Sequence, residues 1–163
     1  MLKMDRMTLF QTVITGVAAT AIMDLWSLFQ KYIIKIPPLN YALVGRRLLW
    51  LPKGKFRHNT IISTNSEHGE RVTGWLFHYL TGILFAFIPL ILDGPAWLNK
   101  PLLVTALLTG LLTLFAPLII LQPALGFGIA ASQTLRPWLA RLLSVLTHMA
   151  YGCGLYIAAL IIY

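Results

Sequence analysis

Four long apolar stretches constrain this chain more than any other feature of its sequence. They cover about residues 7–29, 72–92, 102–121 or somewhat beyond, and 142–162. Each is close to the roughly 20 residues that an α-helix needs to cross the core of a bilayer. Because a backbone in lipid must satisfy its own hydrogen bonds, the pattern predicts an all-α fold. We expect an integral membrane protein whose single domain, 1–163, is an antiparallel four-helix bundle.

The composition supports this class and excludes others. Apolar residues make up 58% of the chain and charged residues 11%, about half the charged fraction of an average soluble domain. The net charge of +8 does not indicate a nucleic-acid partner, because no soluble basic face is available to display it. The expected partners are the lipid bilayer and its anionic headgroups. The single cysteine, Cys153, excludes an internal disulfide and a CxxC motif.

The distribution of Lys and Arg predicts the orientation. Ten of them lie in residues 30–71 and in the connection before the fourth stretch, whereas only Lys3, Arg6 and Lys100 lie on the opposite side. By the positive-inside rule, we expect a bacterial inner-membrane protein with loop 30–71 in the cytoplasm and both termini in the periplasm. The first stretch resembles a signal peptide but continues to Phe29, so we expect an uncleaved helix.

The connections carry local signals of their own. Residues 41–51 of the long loop predict an amphipathic helix that is capped by Asn40 and lies on the membrane surface. Asp93, Gly94 and Pro95 predict a tight turn. Trp97 follows this turn, where we expect it to anchor the chain at the membrane interface.

Ionisable side chains occur inside three of the apolar stretches. Asp24, His78 and His148 each lie seven positions from the basic residue that flanks the cytoplasmic end of their stretch. At about 1.5 Å per residue, all three are expected roughly 10 Å from the same surface. Gln122 is expected at a similar depth. Since such groups are costly in a bilayer, this polar layer is the candidate functional site.

Small and hydroxylated residues predict that the layer faces the interior. They recur every four residues in three rows: Gly16, Thr20 and Asp24; Thr105, Thr109 and Thr113; Ser144, His148 and Gly152. Side chains at this spacing let membrane helices approach closely.

The chemistry of the layer leaves several uses open. Asp24, His78 and His148 could bind a divalent transition metal with Gln122 completing the shell, or the two histidines could ligate haem iron. Asp24 and a histidine could instead pass a proton or hold a polar substrate. The structural alternative is a hydrogen-bonded network that locks the bundle, although such bonds contribute only about 0.6 kcal/mol each on average. No HExxH motif or nucleophile elbow defines a reaction.

A second cluster lies in the loop. Glu70, Arg57, His58 and Arg46 are candidates for a cytoplasmic mouth of the site. The same cluster contains Arg47, and basic residues this close to the membrane attract anionic lipid headgroups. A specific phosphate pocket is the alternative, although Gly54 with the following lysine lacks the spacing of a P-loop.

Short motifs spread over nearly the whole chain form a joint pattern. They are GVAATAIMDLW at 16–26, NYALVGR at 40–46, GKFRH at 54–58, GER at 69–71, GWLFHY at 74–79, QP at 122–123, GFGIAAS at 126–132 and LTH at 146–148. The pattern resembles an uncharacterised bacterial membrane family, domain-of-unknown-function family 2938. The resemblance implies a small multi-pass inner-membrane protein, and its motif positions include Asp24, His58, His78 and His148. It implies no activity and no cofactor.

The functional hypothesis is therefore an intramembrane site, built by Asp24, His78 and His148, that binds a metal, a cofactor or a polar small molecule. An enzyme acting on a lipid or membrane-soluble substrate is one version, and a small transporter or proton-coupled carrier is another. The alternative is a structural or accessory subunit. A transport path through only four helices would require a homo-oligomer or a very minimal pore. A homo-oligomer or a larger membrane complex is therefore among the expected partners.

Overall fold

The computed structural model describes residues 5–163. All regular secondary structure in this range is helical, and irregular segments connect the helices. The orientation argument from Lys3 lies outside the described residues. Four helical segments are long and apolar enough to cross a membrane: Arg6–Ile34, Glu70–Asp93, Leu103–Leu125 and Pro137–Ile162. The predicted fold class, all-α with four apolar helices, is confirmed.

The first long segment consists of α1, Arg6–Phe29, and a π-helical turn at Gln30–Ile34. Between the first two long segments lies α2, Tyr41–Trp50, which ends in a 3-10 turn at Leu51–Lys53. The second long segment consists of α3, Glu70–Phe85, and α4, Ile88–Asp93. α3 begins at Glu70 rather than at residue 72, and α4 has Pro89 in its first turn, where the missing N–H costs no helical hydrogen bond.

The second half of the chain is divided similarly. A 3-10 turn at Pro95–Leu98 precedes the third long segment. This segment consists of α5, Leu103–Thr113, a π-helical stretch at Ala116–Leu121, and α6, Gln122–Leu125. Another 3-10 turn at Ile129–Ala131 precedes α7, Pro137–Ile162. α7 begins at Pro137 rather than near residue 142, because proline is well suited to the first position of a helix.

Side-chain caps fix the start of two helices. The carboxylate of Asp5 accepts a hydrogen bond of 2.7 Å from the backbone N–H of Thr8 at the start of α1. The side chain of Asn40 accepts one of 3.0 Å from the N–H of Ala42. The predicted cap of the loop helix is confirmed, whereas its position on a membrane surface stays a prediction.

The contacts divide the chain into two compact units. We call Met1–Pro38, Tyr79–Thr113 and Leu146–Tyr163 the bundle unit, and Leu39–His78 and Leu114–Val145 the loop unit. The single-domain organisation of 1–163 stays a prediction.

Close backbone approaches build the bundle unit. A Cβ atom added to Gly16 of α1 would lie 2.8 Å from Cα of Ile83, and one added to Gly154 of α7 would lie 2.9 Å from the carbonyl oxygen of Ala19. A Cβ atom at Gly152 would lie 2.6 Å from the carbonyl oxygen of Ala106 in α5. These distances leave no room for a side chain, which confirms that small residues face the helix contacts.

Aromatic residues complete the interior of the bundle unit. Tyr151 is buried and its hydroxyl donates a 2.6 Å hydrogen bond to the carbonyl of Gly82. Trp97 is only 2% exposed and packs in the same core. Its indole N–H donates to the carbonyl of Leu102 at 3.4 Å, so the prediction of an interfacial anchor was wrong. The 3-10 turn after Gly94 directs this ring inward.

Large apolar side chains cover the outside of the bundle unit. Leu25, Leu84, Val104 and Ile161 are each more than 60% exposed, and similar residues recur along every long segment. An apolar exposed surface of this kind is typical of a membrane contact.

Glycines also allow the helices of the loop unit to meet. A Cβ atom on Gly45 of α2 would overlap the carbonyl oxygen of Glu70, and one on Gly74 of α3 would overlap the carbonyl oxygen of Tyr41. The irregular segment after α2 is held on α6, because the N–H of Ile61 donates to the carbonyl of Leu125 at 2.9 Å.

Candidate functional site

The acid of the predicted layer has a partner within the bundle unit. The hydroxyl of Tyr79 donates to Oδ2 of Asp24 at 3.0 Å, and both side chains are half-buried. Asp24 follows Thr20, whose side chain packs directly on Gly82 of α3, so the same helix contact positions both residues. Tyr79 was not among the predicted site residues, although it directly follows His78.

His148 of α7 also has a partner within the bundle unit. Its Nδ1 atom lies 2.8 Å from Oγ1 of Thr113, and this hydroxyl donates to the carbonyl of Gly110 at 2.7 Å. Because a hydroxyl has only one hydrogen, we assign the ring nitrogen as the donor. The absence of a side chain at Gly110 allows this approach, since a Cβ atom there would lie 2.5 Å from the carbonyl oxygen of His148.

His78 and Gln122 belong to the loop unit. The ring of His78 stacks on Tyr41 of α2 with 4.1 Å between centroids, and Trp75 meets it edge-on at 5.8 Å. The side-chain amide of Gln122 donates to the hydroxyl of Ser144 at 3.4 Å. The gathering of Asp24, His78, His148 and Gln122 into one site stays a prediction.

The predicted metal site has no support. Within residues 5–163, no group of three or more His, Cys, Asp or Glu side chains is placed to hold a metal ion. Ligation of haem iron by the two histidines stays a prediction.

Two residues of the predicted mouth form a structural ion pair. Arg46 of α2 binds Glu70 at the start of α3 through two parallel hydrogen bonds of 2.8 and 2.9 Å. The same guanidinium donates to the carbonyls of Ile61 and Thr64 at 3.2 and 2.8 Å. The hydrogen bond to Glu70 raises the pKa of Arg46 above its usual value. This pair joins two helices and the irregular segment between them.

His58, the third mouth residue, is buried and only 1% exposed. Its backbone N–H donates to the carbonyl of Ala124 at 3.1 Å, and its Nδ1 lies 3.0 Å from Oγ1 of Thr64. Burial and the nearby charges of Lys55, Arg47 and Arg46 lower its pKa. Arg57, the fourth mouth residue, is exposed and takes no part in these contacts within the described chain.

Several buried polar atoms of the described residues have no hydrogen-bond partner in that part of the chain. In the bundle unit they are Oγ1 of Thr15, Nε1 of Trp26 and Nε2 of Gln30, and in the loop unit they are Nε of Arg47, Nε2 of His58 and Oε1 of Gln122. Sequence reasoning did not single out Trp26 and Gln30, whereas Arg47 lies in the basic loop cluster that it identified. Gln30 carried a signal, since it is the first polar residue after an apolar stretch.

The comparisons with known proteins place these residues in a family. A family model described as "Protein of unknown function (DUF2938)" matches residues 13–162. The chain belongs to this family. The DUF2938 match covers all the candidate site residues and confirms the resemblance seen in the sequence motifs. Searches of curated proteins and of solved structures found no match to this DUF2938 chain.

Proposed function

We propose that the chain is a multi-pass membrane protein that binds a polar small molecule where α1 passes into the π-helical turn Gln30–Ile34. One observation carries the proposal. Gln30 is only 3% exposed, yet its Nε2 atom has no acceptor among residues 5–163. The indole Nε1 atom of Trp26 is also buried and also has no acceptor among these residues. Residues four apart on a helix lie on one face, and Trp26 lies in the last turn of α1 while Gln30 begins the π-helical turn that continues it.

The chemistry of these donors limits the ligand. A buried donor without a partner costs about 1–3 kcal/mol, so two of them destabilise the empty protein. A ligand with oxygen acceptors, such as a carbonyl or a carboxylate, would satisfy both. Amide and indole N–H groups do not select metal ions, which bind to lone pairs. The proposed ligand is therefore an organic molecule with acceptor oxygens.

The alternative function, a structural subunit with a locked bundle, also has specific support. Asp24 is bound by Tyr79, and His148 by Thr113, within one unit. Hydrogen bonds of this kind join α1 to α3 and α5 to α7. A purely structural role accounts for these four residues, whereas it gives no reason to bury the donors of Trp26 and Gln30 without acceptors.

Two substitutions separate the functions. Trp26→Phe and Gln30→Leu remove the donors and keep most of the side-chain volume. If the donors serve a ligand, the variants should unfold at the same or a higher temperature than the wild type and lose a small molecule that native mass spectrometry detects on the wild-type protein in mild detergent.

Trp97→Phe is the matched control, because the indole N–H of Trp97 already donates to Leu102. This variant should lose some thermal stability and keep the bound molecule. A wild-type protein that carries no small molecule would contradict the ligand-binding function, and so would equal retention by all three variants.

The proposal includes the orientation that the charges favour, in a bacterial inner membrane with the loop in the cytoplasm and both termini in the periplasm. It is tested with single cysteines at exposed positions in a Cys153→Ser protein. Lys55→Cys should react with a membrane-impermeant thiol reagent only after the inner membrane is permeabilised. Asn99→Cys should react in intact spheroplasts. The reverse labelling would overturn this orientation.

A further inference from the structure

Two neighbouring arginines of α2 differ sharply in what they bind. The guanidinium of Arg46 makes hydrogen bonds with the carboxylate of Glu70 and with two backbone carbonyls. Arg47 donates only to the carbonyl of Phe56, at 3.5 Å, and its buried Nε has no acceptor in the part of the chain that the structure describes. Burial lowers the pKa of Arg47. Its charge is thus held in a partly desolvated place without a counterion.

His58 presents a complementary atom in the same unit. The hydroxyl of Thr64 donates to the carbonyl of Thr60 at 3.2 Å and lies 3.0 Å from Nδ1 of His58. We therefore assign the hydrogen to Nδ1, which leaves a lone pair on Nε2 of the neutral ring. Nε2 is buried and has no partner within residues 5–163. Arg47 donates to the carbonyl of Phe56, two residues before His58, and a ligand that reaches both side chains would accept from Arg47 and donate to His58.

The surrounding charges favour an anion. The loop unit contains only two carboxylates in its sequence, Glu67 and Glu70. Both are occupied, since Glu67 binds Lys53 at 2.6 Å and Glu70 binds Arg46. The charge of Arg47 therefore has no carboxylate of this unit left to neutralise it.

The indole ring of Trp50 contacts His58 and two lysines. The ring of Trp50 meets that of His58 edge-on, with 6.5 Å between centroids. The ammonium groups of Lys53 and Lys55 lie over the same indole, at 4.6 and 5.2 Å from its centroid. The buried imidazole is thus bordered by cations, which attract a negatively charged ligand and disfavour a metal ion.

We propose that Arg47 and His58 bind a phosphate monoester or inorganic phosphate. A guanidinium is well suited to phosphate oxygens. Near neutral pH the second ionisation of a monoester is incomplete, since its pKa is about 6, so the group still offers a P–O–H that can donate to the lone pair of His58. Phosphodiesters and sulfate carry no such hydrogen. Two sources share this chemistry: a soluble phosphorylated molecule and the headgroup of phosphatidic acid.

The experiment uses the full chain in two settings at about pH 6.5. In detergent, isothermal titration measures binding of inorganic phosphate, with sulfate as the comparison. In lipid nanodiscs, the thermal unfolding midpoint is compared between phosphatidic acid and phosphatidylglycerol at equal charge density, because bound ligand stabilises the folded state. Phosphate binding in detergent indicates a soluble source, and stabilisation by phosphatidic acid alone indicates the lipid. Both results support a phosphate monoester.

Matched variants distinguish a built site from diffuse attraction. Arg47→Gln and His58→Asn should each weaken binding about tenfold or more, and His58→Asn retains a donor for the contact with Thr64. Arg57→Gln removes the same charge from an exposed position of the same loop, and it should change the affinity less than about twofold. Equal losses in Arg47→Gln and Arg57→Gln would overturn the site. Absence of binding in both settings, or equal binding of sulfate, would also overturn it.

Discussion

The two units of this chain are stabilised by different physical means. In the bundle unit, backbones approach at Gly16, Gly152 and Gly154, and the sequence supplies five Lys and Arg and three Asp. The loop unit holds eight Lys and Arg but only two carboxylates. Its elements are joined by the hydrogen bonds of Arg46 and by the contact of His58 with Thr64. Van der Waals contact stabilises the first unit, and charge-assisted hydrogen bonds stabilise the second.

The largest expected effect concerns close backbone approach at glycine, which occurs in both units. Gly45→Ala in the loop unit and Gly110→Ala in the bundle unit should each cost about 3 kcal/mol or more, because the new Cβ atom would overlap a carbonyl oxygen and packed cores tolerate such overlap poorly. Reversible unfolding in mixed micelles measures the loss.

Gly54→Ala serves as the control for these substitutions. Gly54 has a φ of +76° and no atom near the position of a Cβ, so only the conformational cost of about 1 kcal/mol is expected. If Gly45→Ala and Gly54→Ala lowered the free energy of unfolding by similar amounts, steric overlap would not be the reason why Gly45 is required.

The next effect concerns the ion pair of the loop unit. Arg46→Gln should cost about 2–3 kcal/mol, because it leaves the half-buried Glu70 and two carbonyls with fewer donors. Arg57→Gln should change the free energy of unfolding by less than about 0.5 kcal/mol. The same unfolding measurement applies, and equal effects of the two variants would contradict the structural role of the pair.

A smaller effect is expected on the free energy of unfolding at acid pH, and it comes from His58 of the loop unit. Because the pKa of His58 is lowered in the folded state, the unfolded chain takes up a proton first as the pH falls below about 6.5. The stability is complete above this pH and falls below it, by at most about 1.4 kcal/mol per pH unit. Thermal unfolding midpoints between pH 7.5 and about 5 measure it, and His58→Asn should remove this part of the pH dependence.

The smallest effect concerns hydrogen bonds of the bundle unit. Tyr151→Phe removes the bond to Gly82, and Thr113→Val removes the bond to His148. Each should cost about 0.6 kcal/mol and at most about 1.7 kcal/mol, the range found for such bonds within membrane proteins. A loss as large as that of Arg46→Gln would show that hydrogen bonds, and not backbone contact, dominate this unit.

The sequence predicted the fold well where a regular pattern extends over many residues. Apolar stretches placed the four long helices, and rows such as Thr105, Thr109 and Thr113, all buried, identified an interior face. Asn40 correctly marked the start of α2. These signals are local, since helical periodicity and capping depend only on nearby residues.

Contacts between distant residues were harder to predict. The pairs Asp24–Tyr79 and Thr113–His148 depend on how helices rotate against each other, which no local pattern specifies. The segment after α2 has no period, so the burial of His58 and the hydrogen bonds of Arg46 were not foreseen, although both residues were named as candidates. Trp97 was misplaced because it belongs to the 3-10 turn Pro95–Leu98 and its side chain is buried.

The meeting point at Gly82 has a consequence for how the chain is made. Its Cα lies against Thr20 of the first span, and its carbonyl accepts from Tyr151 of the last. The final donor is therefore synthesised long after the acceptor has entered the bilayer. Until then this carbonyl accepts only from the N–H of Ala86 in its own helical segment, at 3.1 Å, and a chain truncated before α7 lacks the hydrogen bond between the second and last spans.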